Sequence, residues 1–140
     1  MRTIKILHVD DSEGDIRLMQ EAFREVKLSH TLATANNGYA ALQYLDNIVR
    51  YKLYSSPDLI LLDINMTLMN GLDLLEIIKN DVNIKHIPVI MFTTSSFEKD
   101  ILVSYQKYAN SFIIKPYNLD ELTEVAKSIR DFWLKTASLP

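Results

Sequence analysis

Residues 58–63 read Asp58-Leu59-Ile60-Leu61-Leu62-Asp63, an apolar run closed at both ends by an acid. A run of this length and composition marks a strand covered on both faces, as in a parallel sheet; a half-exposed strand would alternate polar and apolar residues. Three other stretches repeat the pattern. Ile6-Leu7-His8-Val9 ends on Asp10-Asp11, Pro88-Val89-Ile90-Met91-Phe92 on Thr93, and Phe112-Ile113-Ile114 on Lys115. Parallel sheets bind ligands outside the carboxyl ends of their strands, so Asp10, Asp11, Asp63, Thr93 and Lys115 are expected to converge on one edge.

The segments between these runs carry helical periodicity. Ser12, with Asp15 three positions on, caps a first helix whose Ile16, Met19, Phe23 and Val26 recur at helical spacing. Residues 31–35 read as a short second strand, Asn36-Asn37-Gly38 as a turn, and 39–51 as a helix with Ala41, Leu42, Leu45 and Ile48. Pro57 precedes the third strand, Gly71 opens a third helix with Leu72, Leu75 and Ile78 inward, and Pro88 starts the fourth strand. A rather polar fourth helix spans 98–108, a fifth strand 111–114 is blocked by Pro116, and a last helix starts near Asn118. Leu122, Val125, Ala126, Ile129 and Trp133 form its apolar stripe. Strands alternating with helices predict an α/β fold, a doubly wound five-stranded parallel sheet of order 2-1-3-4-5. Residues 1–140 read as one domain, with no linker, repeat or second domain.

Composition narrows the function. The chain has 140 residues, 48% hydrophobic and 24% charged, enough to bury a core. Fifteen Lys plus Arg against 18 Asp plus Glu give a net charge of -3, and no segment concentrates bases as nucleic-acid binding requires. The absence of cysteine excludes a disulfide framework and thiolate metal ligands. There is no signal-peptide core after Met1-Arg2-Thr3-Ile4-Lys5 and no apolar stretch long enough to cross a bilayer, so a cytoplasmic location is expected.

Three carboxylates gathered at one edge repel: two unit charges ~4 Å apart interact by about 4 kcal/mol at a surface-like dielectric. Hard oxygen ligands without Cys or His favour a magnesium-type divalent ion to neutralise them. Lys115 adds a compact positive charge for a phosphate oxygen, and the Thr93 hydroxyl can donate to another. A carboxylate in such a site can itself be the nucleophile and form an acyl phosphate. Taken singly, each residue has an ordinary explanation. Asp10 and Asp11 suit a helix N-terminus, Asp63 and Thr93 can merely end strands, and Lys115 can be solvated. His8, inside the first strand, reads as a buried, hydrogen-bonded histidine rather than a ligand; His30 and His86 lack metal-ligand spacing.

Taken in order, Ile6-Leu7-His8-Val9-Asp10-Asp11-Ser12, Asp58-Leu59-Ile60-Leu61-Leu62-Asp63-Ile64-Asn65-Met66, Pro88-Val89-Ile90-Met91-Phe92-Thr93-Thr94 and Ile113-Ile114-Lys115-Pro116 resemble the receiver domain of two-component response regulators. The resemblance covers essentially the whole chain. It implies the flavodoxin-like (βα)5 receiver fold, with Asp63 as phosphoacceptor and Mg2+ held by Asp10, Asp11, Asp63 and the backbone carbonyl of Asn65. It also implies Thr93 as the switch hydroxyl, Lys115 as the bridge to the phosphoryl group, and a cis Lys115-Pro116 peptide. Asp11-Ser12-Glu13-Gly14-Asp15-Ile16-Arg17-Leu18, Thr93-Thr94-Ser95-Ser96 and the ending Phe132-Trp133-Leu134 to Ala137-Ser138-Leu139-Pro140 are similar, more narrowly, to the small response regulators paired with cyanobacterial phytochromes. That likeness implies a phytochrome-type histidine kinase as phosphoryl donor and a homodimer through the face of the fourth helix, fifth strand and fifth helix. A phosphoacceptor that assists its own phosphorylation and slow dephosphorylation, without an effector domain, is then expected, rather than an enzyme.

Two positions depart from the family pattern. Thr67 stands four residues after Asp63 where proline is common, so the following loop is expected to be shaped or hydrogen-bonded differently. Phe112 replaces the frequent tyrosine at the aromatic switch position and lacks its hydroxyl. Tyr105, Tyr108, Phe112 and Tyr117 admit two readings, a partner-facing patch or edge packing, and Trp133 divides similarly between core and interface. A haloacid-dehalogenase-like phosphatase is the competing enzyme class, since Asp63-Ile64-Asn65-Met66-Thr67 partly imitates its aspartate motif. Chain order opposes it, because here the acidic pair precedes the nucleophile. A nucleotide or flavin module would need a glycine-rich loop after the first strand, which is missing. A phosphorylation-independent adaptor of receiver shape would have lost an acid or the lysine; none is lost.

Overall fold

The apolar runs pair with one another. In the computed structural model, which describes residues 3–52 and 56–140, five strands form one parallel sheet in the order 2-1-3-4-5. Met1 and Arg2, at the head of the stretch read as leading into the first strand, lie outside the described residues. The elements are β1 (Ile4–Val9), α1 (Glu13–Glu25), β2 (His30–Ala35), α2 (Gly38–Tyr51), β3 (Leu59–Leu62), α3 (Gly71–Asn80), β4 (Val89–Thr93), α4 (Glu98–Gln106), β5 (Ser111–Ile114) and α5 (Leu119–Ile129). A π-helical segment, Arg130–Thr136, continues from α5.

Strand residues alternate between two cores because successive side chains point to opposite faces. Leu7, Val9, Ile60, Leu62, Val89 and Met91 meet α2 and α3 through Ala41, Leu45, Leu74, Leu75 and Ile78. On the other face Ile4, Ile6, Leu59, Leu61, Ile90 and Phe92 meet Met19, Ala22 and Phe23 of α1 and Leu122, Ala126 and Ile129 of α5. Each fully buried Leu, Ile or Phe side chain contributes roughly 1.5–3 kcal/mol, which makes the central strands the rigid part of the molecule.

Four helices begin on a polar cap. The side chains of Ser12, Asn37, Asn70 and Asn118 accept hydrogen bonds from the N–H groups of Asp15, Ala40, Leu72 and Glu121. Helix α4 has no such cap, and Ser104 is its one fully buried residue. Its hydroxyl donates back to the Asp100 carbonyl (2.7 Å) rather than joining a core.

Gly71 has a stricter reason than helix initiation. A β-carbon there would overlap the carbonyl oxygen of Asp63, so only glycine lets α3 start against the end of β3. The Gly71 N–H also donates to the Ile64 carbonyl (2.8 Å), closing the loop between them.

Two expectations need correcting, the cis Lys115-Pro116 peptide and the hydrogen-bonded His8. The apolar stripe of the last helix does reach Trp133, which packs against the α1–α5 core although α5 itself ends at Ile129. Beyond it the hydrogen bonds reach five residues, as from the Ala137 N–H to the Phe132 carbonyl (2.6 Å), and the 3.6-residue period no longer applies. Trp133 is only half-buried, edge to face with Phe132 at 5.0 Å. The Lys115-Pro116 peptide is trans, the form an X-Pro bond ordinarily prefers by about 0.5–1 kcal/mol. His8 is fully buried but neither ring nitrogen has a hydrogen-bond partner.

Candidate functional site

The sheet ladder runs past the strand ends and fixes the backbones of the polar residues. Asp10 N–H donates to the Ala35 carbonyl and Asp63 N–H to the Val9 carbonyl, each at 3.0 Å, and Lys115 N–H donates to the Thr93 carbonyl at 2.7 Å. Five residues from four strand ends are thereby brought to one edge.

One oxygen from each of Asp10, Asp11 and Asp63 lies within 4.8 Å of the others. The Lys115 amine donates to Asp10 Oδ2 at 2.6 Å, to Asp15 Oδ2 at 2.8 Å and to Asp63 Oδ2 at 3.3 Å. The second oxygens are held by backbone: Asp10 Oδ1 accepts from the Ser12 N–H (2.9 Å) and Asp63 Oδ1 from the Ile64 N–H (2.8 Å). Asp11 is exposed, and its Oδ2 accepts from the Thr67 N–H at 3.2 Å. Proline at position 67 could not make that bond, so the departure from the family pattern has a local consequence.

Burial opposes the charge of Lys115, yet hydrogen bonds to Asp10 and Asp15 and the charges of Asp10 and Asp63 outweigh it and hold the amine well above the ordinary lysine range. Burial pushes the Asp10 carboxyl up, against the pull of Lys115 and the Ser12 N–H, and neighbouring Asp63 adds to the rise. The Lys115 amine, 2.6 Å from Asp10 Oδ2, opposes that rise. His8 lies 3.9 Å from Asp10 Oδ2, and burial, reinforced by the charge of Lys115, lowers its pKa to about 3. It is a neutral ring against Phe92, at 6.1 Å between centroids.

Thr93 is fully buried at the end of β4, its hydroxyl accepting from the Ser95 N–H at 3.3 Å. Asn65 is exposed in the loop after β3. The donor set of the acidic trio, hard carboxylate oxygens with no imidazole or thiolate among them, fits a divalent cation of the oxygen-preferring class.

The aromatic residues differ in how they are held. Phe112 is half-buried against the α2–α3 core, and its N–H donates to the Tyr105 hydroxyl at 3.1 Å. Tyr105 thus covers an outward amide of edge strand β5. Trp133 packs on the opposite sheet face with the α1–α5 core, Tyr108 is 75% exposed just past α4, and Tyr117 is fully exposed beyond Lys115. Sequence does not single out Asp15 as a site residue, because an acid in the first turn of a helix is already explained by the dipole. Its carboxylate lies on Lys115, although its position next to the Asp10-Asp11 pair offered a weak hint.

The family described as Response regulator receiver domain matches residues 6–127. Among curated relatives, the response regulator Rcp1 of Synechocystis sp. is 38% identical over 135 residues, 96% of this chain and 92% of that protein. Among solved structures, the phosphorylated cyanobacterial phytochrome response regulator RcpA superposes with a TM-score of 0.90 at 42% identity, covering 99% of both chains. The Mn(2+)-bound form of Rcp1 gives 0.87 at 37% identity, covering 98% of this chain and 99% of that one. Among the described residues no helix is long and apolar enough to cross a membrane.

Proposed function

The chain belongs to the response regulator receiver family, whose members are signalling proteins rather than typical enzymes, and we propose that Asp63 is its phosphoacceptor, with a histidine kinase as donor. The observation that carries this reading is the convergence of Asp10, Asp11 and Asp63 around an amine 3.3 Å from Asp63 Oδ2. The Ile64 N–H holds Asp63 Oδ1, leaving Oδ2 to attack. A lone pair of that oxygen forms a bond to phosphorus while the P–N bond of the donor phosphohistidine breaks. The electron pair leaves with the ring, which departs as neutral imidazole with its other nitrogen protonated. Water later attacks the same phosphorus, releasing inorganic phosphate and restoring the carboxylate.

Asp10 and Asp11, with Asp63 and the Asn65 carbonyl, would hold Mg2+. When bound, that ion supplies positive charge that offsets the charge on the phosphoryl oxygens. Lys115 then pairs with one phosphoryl oxygen, and the Thr93 hydroxyl gives up the Ser95 N–H and turns inward to donate to another. That movement is the output, a population shift felt along α4 and β5 through Phe112 and Tyr105. Likeness to Rcp1 and RcpA supports a phytochrome-type kinase upstream. Exposed Leu102, Tyr105, Ile114 and Phe132 on α4, β5 and the continuation of α5 support homodimerisation through that side.

Incubation with phosphoramidate and Mg2+, read by intact mass, tests the chemistry. A phosphoryl adduct absent from Asp63→Asn and lost on chelation is expected; an adduct that persists in Asp63→Asn overturns the assignment. Sedimentation with and without phosphodonor tests the dimer, and a monomer under both conditions at high micromolar concentration would refute it.

A further inference from the structure

Lys115 is shared by three carboxylates, and one of them has no place in the acidic trio. Asp15, in the first turn of α1, holds the amine at 2.8 Å, closer than Asp63 does at 3.3 Å. Ordinary capping does not explain this. In a reciprocal capping box the acid at this position would reach back to the N–H of Ser12, but that N–H is taken by Asp10 Oδ1 at 2.9 Å. The Asp15 backbone is fixed by the Ser12 hydroxyl at 3.2 Å, while its carboxylate turns to the sheet edge. Its side chain is 38% exposed beside a cleft of about 240 Å³ lined by Leu18, Phe92, Pro116 and Tyr117, whereas the Lys115 side chain is 7% exposed. Asp15 is therefore the Lys115 partner most open to solvent.

We propose that Asp15 is a positioning residue that restrains Lys115, slowing phosphoryl acceptance at Asp63 while making the edge more attractive to a divalent cation. The inference rests on Asp63 being the phosphoacceptor. Its physics is one charge with two opposite effects. For an incoming phosphoryl group, already anionic, Asp15 is both a repulsion and a competitor for the amine that must turn toward it. For a cation settling among Asp10, Asp11 and Asp63, the same carboxylate offsets the positive charge of Lys115. Removing the charge without changing the shape must move the two processes in opposite directions, which a general loosening of the site does not do.

The test uses the full chain, with Asp15→Asn as the neutral isostere and Asp15→Glu as the variant that keeps the carboxylate. Mg2+ affinity is read from backbone amide shifts of Asp11 and Thr67 in a titration. Phosphoramidate uptake is read by intact mass at saturating Mg2+; there a P–O bond forms on Asp63 as the P–N bond breaks, and the donor nitrogen, already protonated in phosphoramidate, leaves with the electron pair as neutral ammonia. Asp15→Asn is expected to bind Mg2+ more weakly and take up phosphoryl faster, each by roughly three- to tenfold, the scale of one unit charge about 4 Å away at a water-like dielectric, as suits a partly exposed carboxylate. Asp15→Glu is expected to return both quantities toward wild type. Both unchanged, only one moved, or both moved in the same functional direction overturns the proposal. A wild-type chain that takes up no phosphoryl overturns the Asp63 reading and this inference together; normal wild-type uptake with an unaltered Asp15→Asn overturns only the role of Asp15.

Discussion

The carboxyl edge of the sheet and the α4–β5 flank differ in how their side chains are held. At the edge, Asp10, Asp63 and Lys115 are buried, and each has a backbone ladder bond and at least one charged partner. On the flank, α4 buries only Ser104, lacks a side-chain cap, and leaves Leu102 and Tyr105 exposed. The edge is over-determined, so small chemical changes there have large consequences. The flank is lightly held, and low local stability is what an element that shifts between states requires.

The largest effect that would break this contrast is at Gly71. Gly71→Ala drives a methyl group into the Asp63 carbonyl, and a loss of about 3 kcal/mol or more in urea unfolding is expected. A loss below 1 kcal/mol, on the order of an exposed-site change, would show that the edge can give.

His8 probes the same region through pH. Its folded-state pKa of about 3 lies below the model-compound value of 6.5, so the unfolded chain binds the proton first. The stability that the neutral ring contributes is complete above pH 6.5 and is lost as pH falls toward 3. Between pH 7 and 5 the wild type is expected to lose about 2 kcal/mol that His8→Leu does not lose, as measured by urea unfolding at the two values. Equal losses in the two proteins would mean that the ring acquires a partner.

Smaller effects sharpen the other side. Tyr105→Phe removes the acceptor of the Phe112 N–H, but at an open edge water replaces it, and a change of about 0.5 kcal/mol is expected. Leu102→Ser, on the outer side of α4, is expected within about 0.5 kcal/mol of wild type in the same assay. A loss above 2 kcal/mol at Leu102 would mean that α4 is anchored after all.

The sheet was legible in the sequence because strands buried on both faces must be apolar throughout, and Pro116 marks where β5 has to stop. Convergence of the five polar residues followed from parallel topology alone. Asp15 was not legible, because its helix-start position accounts for an acid before any tertiary contact is considered. Nor was the isolation of His8: burial can be inferred from a strand pattern, but whether a ring nitrogen finds a partner depends on neighbours distant in sequence. The change of helical pitch beyond Ile129 was hidden for a different reason. Periodicity assumes a constant helical pitch, and the π-helical segment changes it at Arg130, whose guanidinium reaches the Val26 carbonyl at 2.7 Å.

The loop from Asp63 to Gly71 is tied down twice within a few residues. Its Thr67 amide is bonded to Asp11, its far end leans on the Asp63 carbonyl through Gly71, and between them Leu68 is held at a φ of 71°, where a leucine is strained. Mechanically this is a short ring with both anchors in one acidic cluster, pre-stressed at its crest. Displacing either acid therefore pulls on the first turn of α3, so that helix registers what happens among the carboxylates without touching any ligand itself.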